Sequence, residues 1–407
     1  MHLKTIKQLR NLSGKTVLVR VDFNVPIKRK KVLDNTRLLA SLPTIKYLTE
    51  KKAKVILITH VGRPAGKVVA SLKVNPIVEE LSGLLKKKIK KLETGSWPSS
   101  AKATADKMRL KLLKDVEGLK PGQVAMMENI RFSSDEKNNT GTLSQELANL
   151  VDYFVLDGFA VAHRDSASVT GVAEYVPAYA GLLLESEIKG LSKVTTKPKK
   201  PFVVVIGGIK TETKIPVIKN LLPKTDNVLV SGGIFNTYLK AKGYKVGASL
   251  VDKNYEKEVL KYCKSRKVIL PTDVIVGTMD GKHFRPVKLL KKPHQVCKKN
   301  EAILDMGPET IHLFAKYIKK AQTLVWNGAM GYFEQKPYDI GTLSIARLVA
   351  SRSKGKAFGV IGGGETLQSM DLVGMSEHVD LISTGGGAML EFLSGKELPG
   401  IKAVTKK

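Results

Sequence analysis

Cysteine is nearly missing from this sequence, with Cys263 and Cys297 the only two in 407 residues. A disulfide framework is thereby excluded, catalytic thiol chemistry is not expected, and a reducing compartment fits. His283, His294 and Cys297 stand singly in a lysine-rich stretch, without the tight ligand pairs of a structural zinc site. Long apolar runs are absent as well. Nothing approaches the roughly 18 residues that cross a bilayer, and residues 1–20 carry basic groups without the apolar block of a signal peptide, so a cytoplasmic protein with no membrane partner is expected. Acid is scarce beside base, with 37 Asp and Glu against 68 Lys and Arg and a net charge of +31. Aromatics are scarce too, at 6%, and none falls within Lys86 to Lys91, Lys197 to Lys200 or Lys288 to Lys299. Single-strand binders add aromatic stacking platforms to their cations. The charge therefore reads as a solvated basic surface, and nucleic acid is not expected as a partner.

What is present is the make-up of a soluble globular protein, 43% hydrophobic and 26% charged. A chain of this length exceeds one ordinary core, so two α/β domains are the prior. Short β-branched runs alternate with stretches of helical periodicity: Val17 to Val21, then Leu38 to Leu48, then Val55 to Ile58. That is the pattern of βαβ units on a parallel sheet. It continues through Val124 to Met127 and Tyr153 to Leu156, while Lys88 to Lys107 is ambiguous between edge strand and loop. Ala178 to Val194 reads as a helix, and the polar, proline-containing Thr196 to Pro201 as the domain boundary. A second series opens at Phe202 to Ile206 and runs through Val228 to Val230, Val268 to Leu270, Thr323 to Trp326, Phe358 to Ile361 and Leu381 to Ser383. The expectation is α/β, two doubly wound parallel-sheet domains of Rossmann-like type, residues 1–177 and 201–387, joined by an interdomain helix and hinge over 178–200.

Open parallel sheets bind ligands beyond the carboxyl ends of their strands. In the first series those ends carry Asp22, Phe23 and Asn24; then His60, Val61, Gly62 and Arg63; then Arg131; then His163 and Arg164. Arg37 stands at the start of the helical stretch. An Asx turn would account for Asp22 and Asn24, and any one arginine for a surface ion pair. Gathered at one sheet edge, the planar guanidinium forks suit the oxygens of a small acid bearing phosphate and carboxylate.

The ends of the second series are rich in glycine: Gly207 and Gly208 before Lys210 and Lys214, then Gly232 with Gly233, Asn327 with Gly328, Gly362, Gly363 and Gly364 before Glu365 and Thr366, and finally Gly385, Gly386 and Gly387. Glycine lets backbone amides approach phosphate, and helix N-termini favour anions. Tight βα turns alone give the same pattern. The loop carrying Lys210 is not a Walker A sequence.

Together these strings resemble phosphoglycerate kinase from about Gly14 to Ile401. The most specific are Arg20 to Pro26, His60 to Pro64, Glu128 to Phe132, Trp326 to Gly328 and Ser383 to Gly387. The resemblance implies a first domain that binds 3-phosphoglycerate through Asp22, Asn24, Arg37, His60, Arg63, Arg131 and Arg164, with Phe23, Val61, Gly62 and His163 in the same segments. It implies a second domain that binds ATP or ADP through Gly207, Gly208, Lys214, Gly232, Asn327, Glu334 and Gly362 to Thr366. Lys210 would lie near the transferring phosphate, and Gly385, Gly386 and Gly387 at a helix N-terminus facing it. Arg37, Lys210 and Lys214 are the implied catalytic groups. Mg²⁺ is implied as cofactor, held mainly by nucleotide phosphates with Glu365 as a candidate ligand. Residues 388–407 would return toward the first domain, and a monomer is expected. Three departures stand out: Glu365 where the family commonly has Asp, Ile209 and Thr211 around Lys210 for a more usual Ala and Val, and Gly158 and Val161 for Ala and Thr before His163.

The implied reaction is the reversible transfer of a phosphoryl group from ATP to the carboxylate of 3-phosphoglycerate, giving 1,3-bisphosphoglycerate and ADP. A carboxylate needs no general base to attack phosphorus. Catalysis would reduce to in-line positioning and charge neutralisation, with the two domains closing to exclude water. The rival enzyme is a kinase for another small acid, and the rival from another class a basic nucleic-acid-binding protein on an inactive kinase fold.

Overall fold

Valine and isoleucine runs with no polar alternation need both faces covered, which is the signature of parallel strands buried between helices. A computed structural model of the chain, describing residues 2–93, 102–140 and 142–406, places each of the anticipated runs in such a strand. The chain divides into two compact units, Met1–Ile188 with Glu397–Lys407, and Lys189–Lys396. The division falls inside the helix Leu182–Thr195.

In the first unit the strands are β1 (Thr16–Arg20), β2 (Ile27–Lys28), β3 (Lys31–Val32), β4 (Lys54–Ile58), β5 (Lys90–Leu92), β6 (Val124–Met127), β7 (Tyr153–Leu156) and β8 (Ala178–Ala180). Six of them form one sheet in the order β5-β6-β4-β1-β7-β8, every neighbouring pair parallel. β2 and β3 make a separate two-stranded ladder. The order reverses at β1, whose neighbours are β4 on one side and β7 on the other. A crevice forms at such a switch point, and Asp22, His60 and the segment after Leu156 all emerge there. Leu38, Ile45 and Leu48, on one face of the helix Thr36–Glu50, close over Val17, Val19, Val55 and Leu57 to make the core. The stretch read as a helix from Ala178 differs: Ala178–Ala180 is the edge strand β8, and the helix starts at Leu182. Alternating small residues pair with β7 before helical periodicity begins. Lys90–Leu92 resolves the ambiguous segment as an edge strand followed by the helix Lys102–Glu117, with residues 94–101 outside the described part.

The return to the first unit begins at Glu397, later than the anticipated residue 388, because the helix Gly387–Leu393 packs on the helix Thr211–Leu221 of the second unit. Leu398, Ile401 and Val404 are buried against the first unit. Gly400 N donates to Ala162 O at 2.9 Å, and a Cβ on Gly400 would meet Leu156 and Val169 at 2.9 Å. Lys4 N donates to Val404 O at 2.8 Å, so this segment also fastens residues 2–5.

The second unit contains β9 (Phe202–Ile206), β10 (Asn227–Val230), β11 (Val268–Ile269), β12 (Asp273–Gly277), β13 (Phe284–Lys288), β14 (Ala302–Met306), β15 (Thr323–Asn327), β16 (Phe358–Gly362) and β17 (Leu381–Ser383). Its parallel sheet runs β11-β10-β9-β15-β16-β17, switching at β9. Trp326, Phe314, Ile345 and Val349 fill its core. The sequence pattern misses β12, β13 and β14, which form an antiparallel sheet of their own in the order β13-β12-β14. Among the described residues no helix is long and apolar enough to cross a membrane.

Candidate active site

At the switch point of the first sheet, backbone turns bring Asp22, Asn24, Arg37, Gly62 and Arg131 into one hydrogen-bonded group. Asp22, 7% exposed, pairs through Oδ2 with Arg37, while its Oδ1 accepts from Asn24 N at 3.3 Å. Asn24 Oδ1 accepts from Gly62 N at 2.9 Å, and Arg131 donates to Gly62 O at 2.7 Å. Successive strand ends are thus tied to one another. Arg37 does not pair with Asp34, whose Oδ1 instead receives Thr36 N and Oγ1 at the helix start.

His60 is buried beneath this group. Its Nδ1 lies 3.3 Å from Arg20 Nη2 and 3.7 Å from Asp22 Oδ1. Burial, with the guanidiniums of Arg20, Arg164 and Arg37 around it, pushes the ring down to about 2, so it is neutral at physiological pH. His163 is partly buried with Nδ1 unpartnered, and Arg164 beside it is half-buried with Nε unpartnered. Arg63 is exposed. Phe23 and Val61 are different in kind: their side chains belong to the core, so only their backbone is left to meet a ligand.

In the second unit the strand ends interlock through their backbones. Gly207 N donates to Asn327 O at 3.0 Å and Gly208 N to Ala329 O at 2.6 Å. A side chain at Gly207 would overlap Ala329 O, and one at Gly328, where φ is +89°, would overlap Gly207 O. Two loops lie here at a separation only glycine permits. Lys214, on the helix Thr211–Leu221, is buried and bonded to Asn327 Oδ1. Asn327 Nδ2 in turn donates to Gly362 O at 2.5 Å, and Thr366 Oγ1 accepts from Gly328 N at 2.7 Å. Lys210 precedes the helix and is exposed. Burial lowers the Lys214 ammonium to about 8, Glu365 opposing that shift and Lys210 adding to it.

Beside these loops opens a cavity of about 470 Å³ whose lining includes Gly208, Gly232, Glu334 and Glu365. Its wall includes Phe235, Leu250, Leu304 and Tyr332. A lining that combines apolar side chains with glycine amides and carboxylates suits a flat ring attached to a polar tail. Gly385, Gly386 and Gly387, anticipated at a helix N-terminus facing the transferring phosphate, do not line this cavity. They lead from β17 into the helix Gly387–Leu393, with Gly386 as its N-cap at φ +49° and Ser383 registered against Gly362 of β16. A Cβ on Gly386 or Gly387 would meet nothing within 4 Å, so this turn is open where the Gly207 and Gly328 turns are closed. Among the described residues no three His, Cys, Asp or Glu gather to hold an ion. Glu365 is one carboxylate at the first turn of the helix Gly364–Leu372, a donor set that fits Mg²⁺ carried on phosphates rather than an all-protein cage.

The family profile for phosphoglycerate kinase matches residues 6–396. The chain belongs to the phosphoglycerate kinase family. It is 42% identical to the phosphoglycerate kinase of Moorella thermoacetica over 413 residues, covering 99% of both chains. It is 41% identical to that of Pelotomaculum thermopropionicum over 414 residues, covering 100% of both. The solved structure of the Coxiella burnetii enzyme superposes with a TM-score of 0.84 at 37% identity, covering 99% of each chain. That of Pyrococcus horikoshii gives 0.81 at 31% identity, covering 99% of this chain and 98% of that one.

Within this family frame, two organising residues at these strand ends, Asn129 and Gly158, are not among the anticipated site residues. Asn129 Oδ1 accepts from Val61 N and Arg131 N at 3.1 and 3.2 Å, and its amide donates to Val61 O at 2.8 Å. It fixes two loops at once. Gly158, a departure from the usual family residue, packs where a Cβ would stand 3.1 Å from Asp22 N. The apolar wall residues carry no sequence signal of function, because their type is that of any core.

Proposed function

We propose that this chain is a phosphoglycerate kinase, transferring a phosphoryl group reversibly between ATP and the carboxylate of 3-phosphoglycerate. The observation that carries the reading is the division of chemistry between the two sheets: guanidiniums and a neutral imidazole at one switch point, glycine amides and lysines beside an apolar cavity at the other. In the first unit Arg63, Arg131 and Arg164 bind the acid's phosphate with His60, while Asp22, Asn24 and Arg37 orient its hydroxyl and carboxylate. In the second, the cavity takes the base, Glu334 the ribose, and Lys214, Asn327 and the amides from Gly363 to Thr366 the phosphates.

A carboxylate arrives already ionised, so no residue has to remove a proton. What the protein supplies is alignment and positive charge where the transferring group passes, from Arg37 and Lys210. Mg²⁺, carried by the nucleotide phosphates and met by Glu365, would neutralise phosphate charge when bound. The basic surface raises the encounter rate with two anionic substrates.

Purified protein with ATP, Mg²⁺ and 3-phosphoglycerate, coupled to consumption of the acyl phosphate, tests the reading directly. Turnover that prefers 3-phosphoglycerate to its 2-phospho isomer and to other small acids is expected. No turnover, or a preference for another acid, would refute it.

Lys214 adds a pH dependence. Because its folded pKa lies near 8, the ammonium that phosphates require is lost as pH rises through that value. Calorimetric titration should show nucleotide affinity falling between about pH 7 and 9, in the direction set by loss of one charge-assisted contact. Lys214→Met should bind weakly and show no such fall.

A further inference from the structure

Three polar side chains behind the first site remain unused by the reaction as described. Arg20 ends β1 and is 1% exposed. Its Nε donates to Ser168 Oγ at 2.8 Å and Nη1 to Val21 O at 2.5 Å. Ser168 Oγ donates to Glu136 Oε1 at 2.7 Å, and Ser168 N to Glu136 Oε2 at 2.9 Å. Ser166 Oγ adds a third bond to the same carboxylate, at 3.1 Å. Glu136 is itself 3% exposed, so a buried cation and a buried anion are joined through one hydroxyl. Such an arrangement is weak evidence for stability, since well-packed apolar groups serve as well. Its far end points to another role.

Arg20 Nη2 stands 3.3 Å from His60 Nδ1. A guanidinium has donors only, so at that contact the imidazole must accept. Nδ1 then carries the lone pair and Nε2 the proton. The carboxylate oxygen facing Nδ1, Asp22 Oδ1 at 3.7 Å, is beyond hydrogen-bond reach. Nε2 makes no hydrogen bond among the described residues and is free to donate.

We propose that Glu136, Ser168 and Arg20 are positioning residues that hold His60 as its neutral Nε2–H tautomer, so that the ring meets the acid phosphate as a hydrogen-bond donor and never as a cation. The identity of that ligand rests on the function proposed above; the tautomer does not. The groups facing the ring are Arg20 from β1, Asp22 just beyond it, Arg37 from the helix Thr36–Glu50 and Arg164 from the segment after β7. Three cations against one anion keep a second proton off the ring, in line with its lowered pKa. A phosphate monoester sheds its last proton near pH 6, so a histidine of ordinary pKa would lose charge just as its ligand gained it. A fixed neutral donor removes that opposition.

The test uses the whole chain with ¹⁵N-labelled histidine and the two-bond proton–nitrogen spectrum of its imidazoles, with the His60 signals identified by their loss in His60→Gln. In the ligand-free protein His60 is expected to show the Nε2–H pattern, unchanged between about pH 5 and 8 while exposed histidines titrate. An Nδ1–H pattern, or a midpoint within that window, would overturn the proposal. Ser168→Ala removes only the linking hydroxyl and should yield a mixture of tautomers. Its KM for 3-phosphoglycerate should rise about tenfold with kcat little changed, the loss of one well-placed bond to a charged group. Glu136→Gln, which keeps the shape of the acid, should move both readouts the same way. A Ser168→Ala protein that melts lower but keeps the wild-type ring pattern and KM would make the network purely structural and sink the idea. A wild-type chain without turnover would count against the proposed function, while the ligand-free spectrum would still decide this inference.

Discussion

Arg37→Ala is expected to lower turnover by about 10³ to 10⁵, the worth of an arginine that stabilises a transferring phosphoryl group, while leaving nucleotide affinity intact. The argument is one of placement. Arg37 opens the helix Thr36–Glu50 in the first unit, whereas the loops proposed to bind nucleotide all lie after Phe202. Its pairing with Asp22 and its 34% exposure leave the guanidinium held on one side and open on the other. A group so placed acts on the transition state more than on bound substrate. Lysine should rescue poorly, because a point charge cannot both pair with Asp22 and present a planar fork. If Arg37 served only that ion pair with the buried Asp22 carboxylate, its loss would lower stability and turnover would survive. Steady-state kinetics and calorimetric ATP titration of both variants separate the cases, and an Arg37→Ala enzyme within about tenfold of wild type would defeat the assignment.

Gly207→Ala should cost about 3 kcal/mol of stability, at the upper end for overpacking, and abolish nucleotide binding in whatever protein remains folded. The added methyl would occupy the position of Ala329 O, and also reach Met330 Cε. Backbone cannot yield there as a flexible side chain would, because Gly208 N is bonded to Ala329 O and Gly207 N to Asn327 O. The two loops must separate, taking Asn327 from Lys214. Denaturant unfolding and nucleotide titration check both halves. By contrast, Gly355 at the end of the helix Ile340–Gly355 has open space around a new methyl, and Gly355→Ala should be tolerated. Equal behaviour of the two variants would show that close approach is not what Gly207 provides.

What the sequence revealed was the chemistry that follows a buried strand. Asp22, His60, Arg131, Gly207 and Asn327 are legible because a β-branched or apolar run ends just before each, and a parallel sheet puts its ligands there. Arg20 was legible as a letter and not as a device: it sits inside the strand run, and its partners Ser168 and Glu136 are distant in sequence. Only folding brings them within reach. Gly385, Gly386 and Gly387 follow β17 as the other glycines follow their strands, and they lead into the N-terminus of the helix Gly387–Leu393. β12 to β14 were hidden for another reason. Phe284–Lys288 is mostly exposed and the intervening loops are lysine-rich, so the alternation that marks antiparallel strands is broken up. The helix read from Ala178 failed at its start because alanine and tyrosine suit an edge strand paired to β7 as well as a first helical turn.

The segment Glu397–Lys407 has a consequence for the order of events during synthesis. Leu398, Ile401 and Val404 fill holes in the first unit, yet they leave the ribosome after every residue of the second. The unit translated first is therefore the one finished last. Until those residues emerge, Leu156, Ala162 and Val169 face water where Gly400 will sit. The second unit can complete its core while the first still waits for its closing piece.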